Sequence, residues 1–351
     1  MNNDAGKGKN ILVIRNDKLG DFMLAFPSFC LLKKALPDHR IFALVPEYTK
    51  DMAEACEWID EVIIDPGTQA GIKGSFKLIK QLRNRQIDYA ITLHSTERIG
   101  IALLAAGIKY RLAPASRIAQ VFYNHKLVQR RSRSEMPEYK YNLFLIHHFL
   151  KQQGIRGMPP IGTPYLRFDP ATIAHLETEF CQQHQLDKSK TLVFIHCGSG
   201  GSANNLSLAQ YAQLGSTLHD KFGVQIVLTA GPGEQQQVQA LSSLLNSTHH
   251  VVYYSNQGLV EFAKHIQFAD IFISGSTGPL HIAGALDIPT VAFYPRRRSA
   301  TSLRWQTINS EGRRLAFMPP ESTAGSAQES DMSSMDMDEV LNKIGEHFFD
   351  R

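Results

Sequence analysis

The sequence predicts an α/β protein built from two βαβ halves. Three observations carry that reading. Short apolar runs of strand length alternate with amphipathic stretches of helix length, which is the pattern of parallel βαβ units. The alternation stops at a glycine- and proline-rich stretch, Gly154–Pro164, and then restarts. The chain has 351 residues, enough for two domains that each bury a core.

In the first half, Asn10–Ile14 reads as a strand, followed by a polar loop, Arg15-Asn16-Asp17-Lys18-Leu19-Gly20-Asp21. Phe22–Leu36 is apolar enough for one buried helix, with Pro27 inside it. Ile41–Val45 and Glu61–Ile64 read as strands around a short helix near Thr49–Glu57. Phe76–Arg85 places Leu78, Ile79 and Leu82 at helical spacing. Tyr89–Leu93 is a fourth strand, Ile99–Ala106 a small-residue helix and Lys109–Leu112 a fifth strand. Arg117–Lys140 breaks the rhythm with Arg117, Lys126, Arg130, Arg131, Arg133 and Lys140, and reads as a long mobile loop or short helices. A helix at Tyr141–Gln153 closes the half. The expected domains are 1–158 and 159–334, with a helix in 335–351 that can pack back on the first domain.

In the second half, Ile173–His184 reads as a helix and Leu192–Ile195 as a strand that runs into His196-Cys197-Gly198-Ser199-Gly200-Gly201. A helix at Leu208–Phe222 and a strand at Gln225–Thr229 lead to the turn Gly231-Pro232-Gly233-Glu234. Helices at Gln235–Leu245 and Val260–Gln267 flank a strand at Val251–Tyr254. Then comes Ile271–Pro295: strand, the small-residue loop Ser274-Gly275-Ser276-Thr277-Gly278, helix, strand. Pro319–Ser334 reads as mobile, before a final helix at Met335–Phe349.

The net charge of +4 hides an asymmetry. Residues 1–165 carry 24 Lys and Arg against 15 Asp and Glu, or +9; residues 166–351 carry 13 against 18, or −5. A basic first half suits an acidic substrate, an anionic membrane surface or nucleic acid. The basic segment has few interleaved aromatics beyond Phe122 and Tyr123 and no recognition motif, so nucleic acid is not the expected partner. Four widely spaced cysteines without a C-x-x-C pair argue against a disulfide framework or a structural zinc, and the histidine spacing gives no metal site. No apolar run approaches the roughly 20 residues that cross a bilayer. The first residues hold no signal-peptide core, so a cytoplasmic protein is expected.

The chemistry lies in loops beyond strand ends. Gly198–Gly201 and Thr277-Gly278 can aim backbone N–H groups at a phosphate, the second at a helix N-terminus with Pro279 in its first turn. Glu234 offers a carboxylate to a ribose diol. Three such loops in one domain favour a nucleotide-diphosphate site over three plain turns. Neither G-x-G-x-x-G after the first strand nor G-x-x-x-x-G-K-[ST] is present. Asp21 stands where a carboxylate could act as general base, although alone it reads more readily as a helix N-cap. His281 could reach a phosphate or pack against the loop. Arg296-Arg297-Arg298 could neutralise a diphosphate or form a solvated face.

R-N-D-K-L-G-D-F-M-L-A-F-P at Arg15–Pro27, H-C-G-S-G-G at His196–Gly201, A-G-P-G-E at Ala230–Glu234 and S-G-S-T-G-P-L-H-I-A at Ser274–Ala283 occur in that order. This ordered set resembles the heptosyltransferases, glycosyltransferases of family 9. The resemblance spans nearly the whole chain. It implies a GT-B fold, with two Rossmann-like domains facing across a cleft. It also implies inverting, metal-independent transfer of a heptose from ADP-heptose to a lipopolysaccharide core or related surface glycan. On this resemblance Asp21 is the base. Ser199, Gly200, Gly201, Glu234, Ser276, Thr277, Gly278 and His281 bind the donor. Arg130, Arg131 and Arg133 meet an acidic, lipid-linked acceptor. The protein would visit the cytoplasmic face of the inner membrane. Two positions depart from the family pattern. Ser276 stands where an Asp often precedes Thr-Gly, and Asn204-Asn205-Leu206-Ser207 replaces a stretch that often carries a lysine. Those departures leave open another nucleotide sugar, or a non-catalytic sugar-nucleotide binder.

Overall fold

The computed structural model describes residues 8–115, 118–198, 204–245, 248–321 and 331–350. It divides into two units, Met1–Ser132 with Met136–Leu166, and Arg133–Glu135 with Arg167–Arg351. The main division therefore falls just beyond the expected linker.

The first unit holds β1 (Asn10–Ile14), α1 (Leu19–Met23), α2 (Phe26–Ala35), β2 (Arg40–Pro46), α3 (Lys50–Glu54), β3 (Glu61–Asp65), α4 (Gly71–Asn84), β4 (Tyr89–Thr92), α5 (Glu97–Ala105), β5 (Tyr110–Pro114), β6 (His125–Leu127) and α6 (Glu138–Gln152). Its six strands are parallel, in the order β3-β2-β1-β4-β5-β6. Ile11 to Ile14 are fully buried. Helices cover both faces of such a sheet, so its central strands are continuously apolar rather than alternating.

The second unit holds α7 (Pro170–His184), β7 (Leu192–His196), α8 (Leu208–Phe222), β8 (Gln225–Ala230), α9 (Gln235–Leu244), β9 (His250–Tyr254), α10 (Leu259–Gln267), β10 (Ile271–Gly275), α11 (Gly278–Ala285), β11 (Thr290–Phe293), β12 (Arg314–Phe317) and α12 (Met337–Phe348). Its strands are again parallel, in the order β12-β11-β10-β7-β8-β9. Numbered within each unit, both sheets run 3-2-1-4-5-6. That is the doubly wound arrangement, whose ligands bind beyond the strand ends where the order reverses. The reversal lies between β1 and β4 in one unit and between β7 and β10 in the other.

Three expectations are corrected. Phe22–Leu36 is two helices, not one. Pro27 lacks the N–H that a continuous helix would direct at the Met23 carbonyl, so the chain turns at Leu24-Ala25 and restarts with Pro27 in the first turn of α2. The basic segment, read as a long mobile loop or short helices, has short 3-10 turns at Ile118–Phe122 and Arg131–Arg133 but also contributes an edge strand, β6, which pairs Leu112 with His125 and Pro114 with Leu127. The final helix packs its buried residues Val340, Leu341 and Ile344 into the core of the second unit, on the side of α8, with Phe349 stacked on Phe222 at 4.3 Å between ring centroids. Residues 322–330 of the stretch expected to be mobile lie outside the described residues, as does Arg117.

Capping explains the ends of α8. Ser207 and Gln210 form a reciprocal capping box, and Gly223 leaves the helix in the left-handed region at φ 66°. Ile344→Ala should remove about 2–4 kcal/mol from the second unit through the cavity it leaves. Urea unfolding followed by circular dichroism measures this; an unchanged midpoint would show that α12 contributes nothing to this core.

Candidate active site

At the first reversal point a guanidinium lies buried among carboxylates. Arg15 directly follows β1 and is 2% exposed. Its Nε donates to Asp17 Oδ1 at 2.9 Å, and Nη1 donates to Glu138 Oε1 at 2.8 Å and to Asn142 Oδ1 at 3.3 Å. Nη2 donates to Asp21 Oδ1 in a short charge-assisted bond. Glu138, in the first turn of α6, also accepts from Arg131 Nη1. Asn142 Nδ2 donates to the Leu24 carbonyl at 3.3 Å. The cluster therefore ties the β1 loop, the end of α1 and the start of α6 together. From the β4 side, His94 Nδ1 stands 4.0 Å from Asp17 Oδ2.

The charges compete. Burial opposes the Arg15 cation, but Asp17, Asp21 and Glu138 outweigh it and hold the guanidinium charged. Burial pushes the Asp21 carboxyl up to about 6; Arg15 pulls it down, and the charges of Asp17 and Glu138 push it up again. Asp21 is not an N-cap. The cap position of α1 is Lys18, which makes no side-chain capping bond, and Asp21 sits inside the helix with Arg15 as its partner.

The basic residues expected at the acceptor differ in what they touch. Arg131 binds Gln129 Oε1 through Nε and Nη2 at 2.9 and 2.7 Å, as well as Glu138. Arg130 is exposed. Arg133 is exposed and lies 3.5 Å from Glu135. Sequence reasoning gave no role to Arg15 or Glu138. They are 123 positions apart, and only the fold joins them.

In the second unit, the loops after β7, β8 and β10 converge. Glu234 Oε2 accepts from the Gly231 N–H at 2.8 Å and lies 3.6 Å from His196 Nε2. Burial holds His196 below the usual histidine range against the pull of Glu234. His196 Nδ1 pairs with Thr229 Oγ1 at 3.1 Å. A Cβ on Gly198 would fall 2.0 Å from Glu234 Oε1, so only glycine lets this carboxylate lie against the β7 loop. Asn205 Nδ2 donates to the Cys197 carbonyl at 2.8 Å, its Oδ1 accepts from buried Tyr211, and it packs directly on Gly275. Gln237 Nε2 donates to the same Cys197 carbonyl at 3.0 Å.

Thr277 is the cap residue of α11, but its side chain makes no capping bond; its hydroxyl pairs with Ser274 Oγ at 3.0 Å. Ser276 is half-buried in the same loop and Gly278 begins the helix. His281 is buried, burial lowers it to about 4, and its Nδ1 has no hydrogen-bond partner among the described residues. It packs as a neutral ring. Arg296 is committed to the Pro319 carbonyl and Glu321, while Arg297 and Arg298 are exposed. Ser199, Gly200 and Gly201 lie outside the described residues. Among the described residues no group of His, Cys, Asp and Glu is placed to hold a metal ion.

Two parallel doubly wound units, with loops gathered at each reversal point, define the GT-B class of glycosyltransferase. Residues 75–311 match the profile of Glycosyltransferase family 9 (heptosyltransferase). A Haemophilus influenzae protein described as a candidate glycosyltransferase is 44% identical over 337 residues, covering 96% of each chain. The chain belongs to glycosyltransferase family 9. The fold is similar to that of a family 9 glycosyltransferase from Veillonella parvula, at a TM-score of 0.80 and 17% identity over 98% of both chains. It is also similar to the Escherichia coli ADP-heptose lipopolysaccharide heptosyltransferase II, at 0.74 and 18% over 97% of this chain and 99% of that one. The matched segment begins after Asp21 and does not include it.

Arg15→Met should leave three carboxylates without their shared cation and cost about 3–5 kcal/mol. The loss should shrink as pH falls and the carboxylates protonate. Thermal unfolding at pH 5 and pH 8 checks this; equal stability of variant and parent at pH 8 would rule out the buried pairing.

Proposed function

We propose that the protein moves a heptose from ADP-heptose to a lipopolysaccharide core acceptor, or a related surface glycan, with inversion and with Asp21 as general base. The observation that carries this reading is the Asp21 carboxyl at the first reversal point, with its proton affinity raised to about 6. A general base works best when its pKa lies near the operating pH. The relatives support the donor and acceptor: one carries ADP-heptose and lipopolysaccharide in its name.

In the proposed step the acceptor hydroxyl gives its proton to Asp21. Its oxygen forms a bond to the anomeric carbon from the face opposite the nucleotide. The bond from that carbon to the diphosphate oxygen breaks, and the electron pair leaves with ADP. The first unit would hold the acceptor and the second the donor. Glu234 would accept from the ribose. Backbone N–H groups at Gly198–Gly201 and at Thr277-Gly278, with Ser276 beside them, would take up charge on the leaving diphosphate; removing one such donor typically costs about 10²–10³ in rate. His281 supports the α11 turn as a packed neutral ring. Exposed Arg130, with Arg133 beside Glu135, would face an acidic acceptor, whereas Arg131 would act by fixing Glu138. The site of action would be the cytoplasmic face of the inner membrane. No helix among the described residues is long and apolar enough to cross a membrane.

One observation favours a different nucleotide sugar as second reading. The stretch Asn204-Asn205-Leu206-Ser207, where the family pattern often has a lysine at the Asn204 position, carries no charge, and Asn205 beside it is locked between Tyr211 and the Cys197 carbonyl. A thermal-shift screen with ADP, UDP, GDP and their sugars separates the two. A ligand at about 100 times its dissociation constant adds roughly 2.7 kcal/mol. A shift confined to ADP compounds fits the first reading; one confined to UDP or GDP compounds replaces the donor.

Asp21→Asn should keep the fold and lower kcat by about 10²–10⁴, the usual share of a general base. With the parent enzyme, kcat/KM should rise as pH passes upward through about 6, because only the ionised carboxylate accepts a proton. Near-normal turnover by the variant, or a flat pH profile from 5 to 7.5, would remove Asp21 as the base.

A further inference from the structure

One face of the first unit combines projecting apolar side chains with uncompensated lysines. The elements α4, α5 and the 3-10 turn at Ile118–Phe122 lie side by side on the same face of the sheet, with α4 packed on α5 and α5 on the turn. The inner sides are well buried: Leu78, Leu82, Ile99, Ala102, Leu103 and Ala119 join the strand residues in one core. Gly100 lies so close to the turn that a Cβ there would meet Phe122 at 2.7 Å.

The outer sides are apolar as well. Ile72 and Phe76 project from α4, Ile101 and Leu104 from α5, and Ile118 and Val121 from the turn, each 49–76% exposed. Among the described residues these three elements carry half of the exposed large apolar side chains. A surface helix normally turns polar residues outward. Contiguous exposed apolar area instead marks an interaction surface. Between α4 and α5 lies a recess of about 400 Å³, lined by Ile72, Phe76 and Ile79 and floored by Arg98, whose charge is taken up by Asp65.

The charge pattern selects the partner. Helix α4, GIKGSFKLIKQLRN, has no acidic residue. Lys73, Lys77 and Lys80 are exposed on it, and none makes an ion pair among the described residues. Glu97 is the single acidic residue of α5. Apolar side chains beside long-stemmed lysines are what a helix needs to lie in a lipid headgroup layer. The apolar groups enter the acyl boundary while the ammonium groups reach anionic phosphates. A second copy meeting this face across a twofold axis would set these lysines near their own equivalents, and like charges there oppose association.

We propose that the outer face of α4, α5 and the 118–122 turn docks the protein on an anionic lipid bilayer. The lysines attract, and Ile72, Phe76, Ile101, Leu104, Ile118 and Val121 insert. This membrane contact is distinct from the Arg130–Arg133 segment expected at the acceptor, where Arg131 is taken up by Glu138. The inference rests on the function proposed above only in that a lipid-linked acceptor gives the contact a purpose. Its test needs neither substrate, so the two readings fail separately.

The test is co-sedimentation of the full chain with vesicles. Phosphatidylglycerol–phosphatidylethanolamine vesicles should retain the protein at least tenfold better than phosphatidylcholine vesicles, and less well as salt rises. Ile72→Ser with Phe76→Ser, and separately Lys73→Gln, Lys77→Gln and Lys80→Gln together, should each weaken retention at least tenfold. Both sets lie on the exposed side of α4, so circular dichroism and the thermal midpoint should stay close to the parent values. Leu303→Ser, an exposed apolar position in the second unit, should leave retention unchanged. Failure of the parent protein to bind anionic vesicles would overturn the proposal, as would full retention of either α4 variant. So would a dimer, seen by analytical ultracentrifugation, that the Ile72–Phe76 variant dissolves, since the face would then belong to a second copy.

Discussion

A single guanidinium, buried beside three carboxylates, sets what the first unit can do. Arg15 meets Asp17, Asp21 and Glu138 at once, and a second cation, Arg131, reaches Glu138. Two cations stand against three acids, so one carboxylate is left short of charge. Geometry decides which. Glu138 has both guanidinium groups, and Asp17 is the more exposed of the two aspartates. Asp21 has only Arg15, in a buried position, and burial raises its affinity for a proton. Burial of the cluster that holds the β1 loop on α6 thus raises Asp21, while Arg15, the tie itself, pulls it down.

The two sheets share one strand order, and so one place for a ligand, yet each fills it differently. At the first reversal point the residues are charged and mutually paired. At the second they are small, neutral or acidic: Gly198 under Glu234, Ser274 with Thr277, and the uncapped start of α11. A paired carboxylate cluster suits proton transfer, whereas open backbone N–H groups suit an anion. One topology therefore presents two chemistries, as a transfer between two substrates requires.

Most strands were legible because burial on both faces leaves long apolar runs, as at Asn10–Ile14, Leu192–His196 and Thr290–Phe293. The two strands that escaped notice, His125–Leu127 and Arg314–Phe317, are edge strands, one in each sheet. Each has one neighbour and a partly exposed surface, so hydrophobic pattern does not mark them. Asp21, Glu234, Thr277 and His281 stood out as candidates from their motifs. Their partners did not. The role of Arg15 depends on Glu138, 123 residues away, and a charged side chain in a loop reads as solvated until a fold buries it. The direction of His281 was likewise set by packing. The sequence allowed a phosphate ligand, but the ring is buried and lowered to about 4.

The departures near the second reversal point have one physical consequence. The Asn204–Ser207 stretch brings no charge to the β7 loop, and Asn205 within it shapes that loop, spending its amide on the Cys197 carbonyl and its oxygen on Tyr211. Arg296, the nearest candidate to compensate in sequence, is held by the Pro319 carbonyl and Glu321. Burial keeps His196 and His281 low, and the described side chains that bond to these loops, Asn205, Gln237, Glu234 and Thr229, are neutral or acidic. On the proposed function, a leaving diphosphate would then be stabilised mainly by fixed backbone dipoles. Such dipoles are already oriented and need no rearrangement when charge appears, and the α11 terminus adds the partial positive charge of a helix end. A site of this kind depends more on the spacing of its loops than on any one cation. That gives Gly198, Gly275 and the Asn205 lock their importance: they let the Glu234 and Asn205 side chains lie directly against the backbone of neighbouring loops.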